Sequence, residues 1–153
     1  MPTVTASIDV DAPQERIWAI LDDPNNYPEL AVPTERMLEV PTVPLREGAT
    51  YKEYGGIKPF MAESEWTVSE YRPQRFQRHV GKEPTMQFDL AIELEPLDDG
   101  SRTRFSQTLS MKPAWFLVPV NAVLWPLMMR KRAQAAMDGT VENLKRMAER
   151  AAS

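Results

Sequence analysis

The sequence contains no cysteine, which excludes disulfide bonds, thiolate metal sites and thiol nucleophiles. It has a single histidine and only six glycines, and it contains no glycine-rich phosphate loop, HExxH motif or nucleophile elbow. Residues 1–10 lack the basic stretch and apolar run of a signal peptide. We therefore expect a cytoplasmic protein that uses no metal and no other cofactor.

Positive charge is scarce over most of the chain. Residues 1–129 carry 12 Lys and Arg against 19 Asp and Glu, a net charge of −7, whereas residues 130–153 carry 6 against 3, a net charge of +3. An acidic body argues against nucleic-acid binding. The length of 153 residues predicts one domain, 1–153, that is large enough to bury a core.

The order of the predicted elements is the main indication of the fold. Thr3–Val10 alternates apolar and polar residues, which predicts a half-buried strand. Asp11, a suitable N-cap, leads into an amphipathic helix that ends near residues 22–24, and a second short helix or turn is predicted at Tyr27–Leu30. Strand-like segments then follow without a helix, and one long helix, from about Leu124 to Arg150, closes the chain.

Short turns separate these later strands, which predicts an antiparallel meander. Alternation is clearest in the hairpin whose strands flank the turn Asp98–Ser101. The predicted strands are 37–40, 49–54 ended by Gly55-Gly56, 60–71, 75–80 ended by the turn 81–84, 86–95 and 103–111. A sheet of this kind can close around the long helix and leave a hollow, which we predict to be the functional site.

The long helix presents a face of mainly small or flexible residues over its first turns. The face consists of Ala133, Ala136, Met137, Thr140, Leu144, Met147 and Ala148 at helical spacing. Alanine, methionine and threonine fill less volume than leucine or phenylalanine. The pattern therefore favours a cavity between this part of the helix and the sheet.

Several short motifs, in order and spacing, resemble the START-like, helix-grip (SRPBCC) superfamily in its polyketide cyclase/dehydrase and lipid-transport branch. The motifs are Ile8–Pro13 with Ile17-Trp18 and Asp23-Pro24, Gly48-Ala49, Tyr71–Phe76, Gly100–Thr103, and Asn143-Leu144-Lys145. The resemblance covers nearly the whole chain. It implies an α+β helix-grip fold, in which a curved antiparallel sheet of six to seven strands surrounds the long C-terminal helix and an apolar cavity. It does not imply a particular reaction. Residues 41–44 and 113–129 depart from the family pattern.

Polar residues on apolar strand faces are candidates for the cavity, because a buried polar group needs a partner in the protein or in a ligand. If Glu53 is buried, its pKa will rise and it becomes a candidate general base. The alternative is a position at the rim or a register displaced by one residue, which turns each side chain outward. The polar candidates are Tyr51, Glu53, Ser64, Arg78 and Gln107, of which Tyr51, Glu53 and Arg78 are candidates for catalysis.

The lining of the cavity follows from the same alternation and from the helix face. The predicted ligand-binding residues are Tyr51, Ser64, Trp66, Phe88, Leu90, Phe105, Gln107, Trp115, Phe116, Ala133, Met137 and Thr140. The only histidine, His79, alternates with Arg78 and Val80 and is expected to face out of the sheet. A surface or hydrogen-bonded structural role for His79 is favoured over catalysis.

The segment Pro113–Met129 has no charged residue and contains three prolines, and Arg130-Lys131-Arg132 follows it directly. It is too short and too interrupted for a transmembrane helix. It is open to four interpretations: a lid over the cavity mouth, an interfacial membrane anchor, a dimer surface, or ordinary packing at the start of the long helix. As a lid, it would border the mouth and be more mobile than the sheet.

The inferred cavity, with few polar groups and no assembled catalytic constellation, favours binding or transport of a hydrophobic small molecule such as a lipid, a polyketide-like aromatic or an isoprenoid. The alternative is an aromatase/cyclase or dehydratase-type enzyme acting in the same cavity. A third possibility is a protein-interaction module that uses the apolar segment. The predicted partners are a hydrophobic ligand, a membrane surface through residues 113–132 and a second copy of the chain, but no nucleic acid.

Overall fold

Seven antiparallel strands form one curled sheet in the computed structural model, which describes residues 2–150. Met1 and residues 151–153, which the predicted domain 1–153 includes, lie outside the described residues. The strand order is β1-β7-β6-β5-β4-β3-β2, so the first and last strands are neighbours. The strands are β1 (Thr3–Val10), β2 (Thr34–Glu39), β3 (Thr50–Ile57), β4 (Phe60–Arg72), β5 (Phe76–Glu83), β6 (Met86–Leu97) and β7 (Arg102–Pro113). The predicted curved antiparallel α+β sheet is confirmed.

Two short helices follow β1, as predicted: α1 (Gln14–Leu21) and α2 (Tyr27–Leu30), with a 3₁₀ turn at Pro24–Asn26 between them. The expected cap of α1 is wrong, because the N-cap residue is Pro13 and Asp11 lies outside the helix. The carboxylate of Asp11 instead accepts a hydrogen bond from Arg102 at 2.8 Å. Its backbone N–H donates to Glu149 at 2.9 Å, which joins the start of α1 to the end of the long helix.

The long C-terminal helix begins six residues earlier than predicted. It consists of α3 (Val118–Leu124), a π-helical turn (Trp125–Met129) and α4 (Arg130–Arg150), which follow one another without a break. The π turn contains Pro126, which has no backbone N–H to donate to the carbonyl of residue 122. Such a turn lets the helix continue past the proline.

The C-terminal half of α4 packs on the main core. Leu144 and Ala148 are completely buried, as are Val10 of β1 and Ile17 of α1. All seven residues of the predicted helix face are buried. Leu144 and Met147 therefore fill the space between helix and sheet at one end. The smaller residues Ala136 and Thr140, nearer the start of α4, leave space at the other end.

Two predicted strand ends are wrong, and glycine is the reason in both places. Gly55 and Gly56 lie inside β3 and do not end it. Glycine is required at position 55, because a β-carbon there would lie 2.1 Å from the carbonyl oxygen of Pro33. Only glycine allows the chain before β2 to cross so closely. Gly81 likewise lies inside β5, and the hairpin turns at residues 84–85.

Candidate functional site

A cavity of about 480 Å³ lies between the concave face of the sheet and the long helix. Its volume is within the range of small-molecule sites, about 300–1,000 Å³. The helix side of the wall runs from Leu117 through Leu124 to Thr140, so the start of α4 and the preceding segment together cover the sheet. Most of the lining side chains are apolar. The predicted cavity between sheet and helix is therefore present.

An aromatic row crosses the sheet at the floor of the cavity. Tyr51 and Trp66 are paired on β3 and β4, with ring planes 2° apart and centroids 6.2 Å apart. Trp66 in turn stacks with Phe88 of β6 at 5.5 Å and 15°. Gly81, between Trp66 and Phe88 in the register, makes this contact possible, since a β-carbon there would lie 2.4 Å from the indole. The row forms a broad apolar wall suited to flat or elongated ligands.

Tyr27 of α2 closes one end of this row. Its ring meets that of Tyr51 at 5.4 Å and 73°, an edge-to-face arrangement. Its hydroxyl donates to the carbonyl of Leu21 at 3.2 Å. Burial raises the pKa of Tyr27, which keeps the phenol neutral. The short helix α2 therefore adds two uncharged side chains, Tyr27 and Leu30, to the cavity wall.

A buried chain of polar groups begins at Tyr51. The Tyr51 hydroxyl lies 2.7 Å from Nδ1 of His79, and Nε2 of His79 lies 2.7 Å from Oε1 of Gln77. The Gln77 amide nitrogen lies 3.4 Å from the carboxylate of Asp22. This leaves the Gln77 oxygen as an acceptor, so His79 carries its proton on Nε2 and Tyr51 donates to Nδ1. Burial lowers the pKa of His79 to about 4, which keeps the ring neutral.

The expectation that His79 faces out of the sheet is wrong. His79 is 1% exposed and lies in the cavity wall. The error comes from β5 itself, because its apolar residues, Phe76 and Val80, lie on the convex face. His79 pairs with Leu90 of β6, and both line the concave face. His79 does make the hydrogen bonds that a structural role would use, to Tyr51 and Gln77.

Glu53 also lies in the cavity wall, two residues from Tyr51 on β3. It accepts a hydrogen bond from the hydroxyl of Thr34 at 2.9 Å. Burial raises the pKa of this carboxyl, and the hydrogen bond from Thr34 opposes that rise. The side chain is therefore a carboxyl group in an apolar site, the setting in which carboxyls act as acids or bases near neutral pH.

Gln107 and Ser64 provide two more polar groups in the wall. Gln107 is 4% exposed, and its amide oxygen has no hydrogen-bond partner among residues 2–150. The Ser64 hydroxyl accepts from the indole N–H of Trp66 at 2.8 Å and keeps its own proton to donate. The cavity thus combines apolar walls with a few separated polar groups.

The prediction that Arg78 faces the cavity is wrong. Arg78 lies on the outer face, where it pairs with Asp89 at 2.7 Å and with Glu70 at 3.2 Å. It shares this face with Phe76 and Val80, as the alternation predicted, but the face is convex. The guanidinium lies 5.4 Å from the centre of the Phe76 ring, so charged side chains cover the aromatic residue there.

Four other predicted lining residues lie outside the cavity wall. Phe105 and Ala133 are completely buried in the core rather than at the cavity surface. Trp115 is 84% exposed and Phe116 is 55% exposed, and neither borders the cavity. Helical geometry turns them away, while Leu117 and Leu124 point to the cavity. The predicted residues found in the wall are Tyr51, Glu53, Ser64, Trp66, Phe88, Leu90, Gln107, Met137 and Thr140.

The segment 113–129 borders the cavity, as the lid hypothesis requires, and its mobility stays a prediction. Wall residues missed by sequence reasoning come from α2, the β3–β4 turn and α3. They include Tyr27, Leu30, Ile57, Phe60, Leu117, Val120, Asn121 and Leu124. Ile57 and Phe60 flank a turn with a clear apolar signal, but nothing local shows that this turn and α3 border the same cavity.

The part of the chain that the structure describes contains no cluster of three or more His, Asp or Glu side chains able to hold a metal ion. In the same residues, no helix combines the length and hydrophobicity that would be needed to cross a bilayer.

An antiparallel sheet curled around a long C-terminal helix, with an apolar cavity between them, defines a START-like, helix-grip protein. The family model described as "Polyketide cyclase / dehydrase and lipid transport" matches residues 1–149. The chain therefore belongs to this family. The resemblance seen in the sequence is confirmed.

Solved structures with the same fold are distant in sequence. A START superfamily protein from Mycobacterium smegmatis has a TM-score of 0.75 at 15% identity, with 97% of this chain and 98% of that chain covered. The Zhui aromatase/cyclase from Streptomyces sp. R1128 has a TM-score of 0.74 at 17% identity, with 99% and 96% covered. A conserved protein from Geobacillus kaustophilus has a TM-score of 0.72 at 16% identity, with 98% and 97% covered. No curated protein matches the chain.

Proposed function

We propose that the protein binds or carries a hydrophobic small molecule, such as a lipid, a polyketide-like aromatic or an isoprenoid, in the internal cavity. The observation that carries this proposal is the cavity of about 480 Å³ with its row of Tyr51, Trp66 and Phe88. Membership of a family whose model description includes lipid transport supports it. The neutral state of His79 also supports the proposal, since a charged imidazolium in the wall would disfavour binding of an apolar ligand.

A matched pair of variants on β4 tests this proposal. Ala62 lines the cavity, whereas the adjacent Glu63 is exposed on the other face. Ala62→Trp would place a large side chain inside the cavity, and Glu63→Trp would add the same ring outside. Titration with the fluorescent probe N-phenyl-1-naphthylamine should show at least about tenfold weaker binding to Ala62→Trp and unchanged binding to Glu63→Trp. No saturable binding to the wild-type protein would refute the proposal.

A second candidate function, an aromatase/cyclase or dehydratase-type enzyme, is favoured by Glu53. A carboxyl of raised pKa in an apolar cavity is a candidate general base. It could remove a proton from the carbon between two carbonyl groups of a polyketide chain. The resulting enolate would attack a carbonyl further along the chain, and the alkoxide formed would take the proton back from Glu53. The new hydroxyl would then leave as water together with a proton from the adjacent carbon. The similarly folded Streptomyces protein is named an aromatase/cyclase.

Incubation with a poly-β-keto thioester analogue, followed by mass spectrometry, tests this second candidate. An enzyme should give a cyclised product lighter by one water molecule, and Glu53→Gln should abolish that product while leaving probe binding intact. Recovery of the unchanged analogue together with tight probe binding would support the carrier function alone.

A further inference from the structure

Gln107 is the one wall residue whose buried polar group has no protein partner among residues 2–150. It lies on β7 opposite Ala6 of β1 and Ile92 of β6, neither of which offers a side-chain donor. The helix above it supplies Thr140, but the Thr140 hydroxyl donates to the carbonyl of Ala136 at 2.9 Å. The amide oxygen of Gln107 is therefore an acceptor without a donor.

Another acceptor in the wall is the phenol oxygen of Tyr51. Its proton is committed to His79, because the far nitrogen of that ring donates to Gln77. The phenol oxygen is left with lone pairs and no proton to donate. The amide oxygen of Gln107 and the phenol oxygen of Tyr51 can thus each receive a hydrogen bond.

We propose that the ligand carries a hydrogen-bond donor, a hydroxyl on an otherwise apolar aromatic or alicyclic skeleton, which donates to Gln107. This inference rests on the proposed binding function and names the ligand class for the same cavity. A buried acceptor without a partner costs free energy in the empty protein, and a ligand hydroxyl removes that cost. A ligand of the same shape without the hydroxyl does not remove this cost. The protein should therefore bind the hydroxylated ligand more tightly than the ligand that lacks the hydroxyl.

Three probes of one shape test the proposal: 2-naphthol, 2-methoxynaphthalene and naphthalene, titrated by calorimetry. Wild-type protein should bind 2-naphthol about tenfold more tightly than the methyl ether, which keeps the oxygen but lacks the donor. Gln107→Leu should remove this preference and leave naphthalene affinity within about twofold of wild type. Gln87→Leu, the same change at an exposed position of β6 that does not line this cavity, is the matched control and should keep the preference.

The outcomes separate the two proposals. If none of the three probes binds, the proposed function fails. If all three bind with equal affinity, or if Gln107→Leu keeps the hydroxyl preference, the function stands and the hydroxyl inference is overturned. Gln107→Leu should also unfold at the same temperature as wild type or higher, because it removes an unpaired polar group, so a folding defect will not obscure the result.

A second, independent observation concerns the outer face of the segment 115–127. Phe116, Val120, Val123 and Leu127 recur at intervals of four, three and four residues and form one helical stripe, which we call the outer stripe. They are between 51% and 75% exposed, and the adjacent Trp115 is 84% exposed. Because the opposite side faces the cavity, α3 is apolar on both sides. A helix of this kind needs a partner on its exposed side.

A cluster of positively charged residues follows the outer stripe directly in the chain. Arg130 and Lys131 follow Leu127 by three and four residues, and Arg132 completes the cluster. None of the ion pairs found among residues 2–150 includes any of these three side chains. The rest of the protein is acidic, with a net charge of −7 over residues 1–129. An anionic surface would therefore attract this end of the molecule and repel the remainder.

We infer that the outer stripe docks on an anionic lipid bilayer, with its apolar side chains in the interfacial region and the basic cluster beside lipid phosphates. The position of the cavity supports this choice of partner. Leu117 and Leu124, on the inner side of the same segment, line the cavity, and Val120 belongs to both surfaces. An apolar ligand entering beside α3 would then pass between bilayer and cavity without crossing water.

Co-sedimentation with phosphatidylcholine vesicles, with and without phosphatidylglycerol, tests the docking inference. The wild-type protein should pellet only with the anionic vesicles. Trp115→Ser/Leu127→Ser and Arg130→Gln/Lys131→Gln should each reduce the bound fraction at least about fivefold. The control is Val43→Ser, which changes an exposed apolar residue in the proline-rich stretch before β3. Equal binding by all variants, or no binding to anionic vesicles, would overturn the inference. So would a lipid-free dimer that Trp115→Ser/Leu127→Ser dissociates, since the stripe would then belong to a second copy.

Discussion

The hydroxyl of Tyr51 lies 2.7 Å from Nδ1 of His79, and this contact joins the aromatic wall of the cavity to a completely buried histidine. The histidine is held neutral and in one tautomer by Gln77 on its other side. The polar chain therefore keeps the Tyr51 ring in place and sets which hydrogen-bonding role its oxygen can play. It also makes the cavity wall sensitive to pH.

The first prediction concerns acid destabilisation through His79. Burial lowers the pKa of this histidine from 6.5 to about 4, so between these values the unfolded chain binds a proton that the folded protein does not. The free energy of unfolding should fall by about 2 kcal/mol between pH 7 and pH 5 from this group. Urea denaturation of wild type and His79→Gln at both pH values should show the fall in wild type only. An equal pH dependence in the two proteins would contradict the buried neutral assignment.

The contribution of Glu53 to the free energy of unfolding should depend on pH in the opposite direction from that of His79. Because burial raises the pKa of this carboxyl above 4.5, the folded protein holds the proton more tightly than the unfolded chain. Stability from this group is complete below the unfolded pKa and is lost as pH rises through the folded value. Glu53→Gln should therefore be more stable than wild type at pH 8, with a difference that shrinks toward pH 4. Chemical denaturation of both proteins across this range measures it, and a constant difference would argue against a buried carboxyl.

The absence of a side chain at Gly81 should be essential to the aromatic wall. A β-carbon at this position would lie 2.4 Å from Cδ2 of Trp66, so Gly81→Ala must displace the indole. We expect a loss of about 1–3 kcal/mol in unfolding free energy, measured by urea denaturation. The same substitution in a Trp66→Leu background should cost much less, because the ring it displaces is gone. Equal costs in both backgrounds would show that the strand, and not the indole, excludes the alanine.

Neighbouring residues on α3 should have separate effects on ligand and membrane. Leu124 lines the cavity, whereas Val123 is 58% exposed on the outer stripe. Leu124→Ala should weaken N-phenyl-1-naphthylamine binding about fivefold through lost apolar contact and leave vesicle binding unchanged. Val123→Ala should lower vesicle binding and leave probe affinity unchanged. If both variants affect both measurements equally, the two faces of α3 do not act independently.

Much of the sheet could be predicted because alternation and turn chemistry are local. The hairpin of β6 and β7, with Asp98–Ser101 between its strands, has the predicted turn and the predicted inward faces. The same is true of β1, of the Tyr51 and Glu53 side of β3, and of the helix face from Ala133 to Ala148. In each case a strand period of two or a helix period of 3.6 is uninterrupted, so the neighbours determine the face.

The errors share a different cause. Arg78 and His79 were placed on the wrong faces because the apolar residues of β5, Phe76 and Val80, lie on its convex face, whereas its concave face carries Gln77, His79 and Gly81. Phe76 is buried on the convex face beneath the guanidinium groups of Arg72 and Arg78, a covering that alternation does not reveal. Trp115 and Phe116 were assigned to the cavity on hydrophobicity alone, and the structure exposes them.

The sequence by itself determined the order of elements, the antiparallel sheet, the long closing helix and the presence of polar groups on inward faces, since these depend on periodicity and short turns. Only the tertiary structure decided that His79 and Gln77 join Tyr51, that Gly81 makes room for Trp66, and that Leu117 and Leu124 face the cavity while Trp115 does not. Periodicity states which residues share a face. The curvature of the sheet and the crossing of the helix, which depend on contacts between residues far apart in the chain, decide which face encloses the cavity.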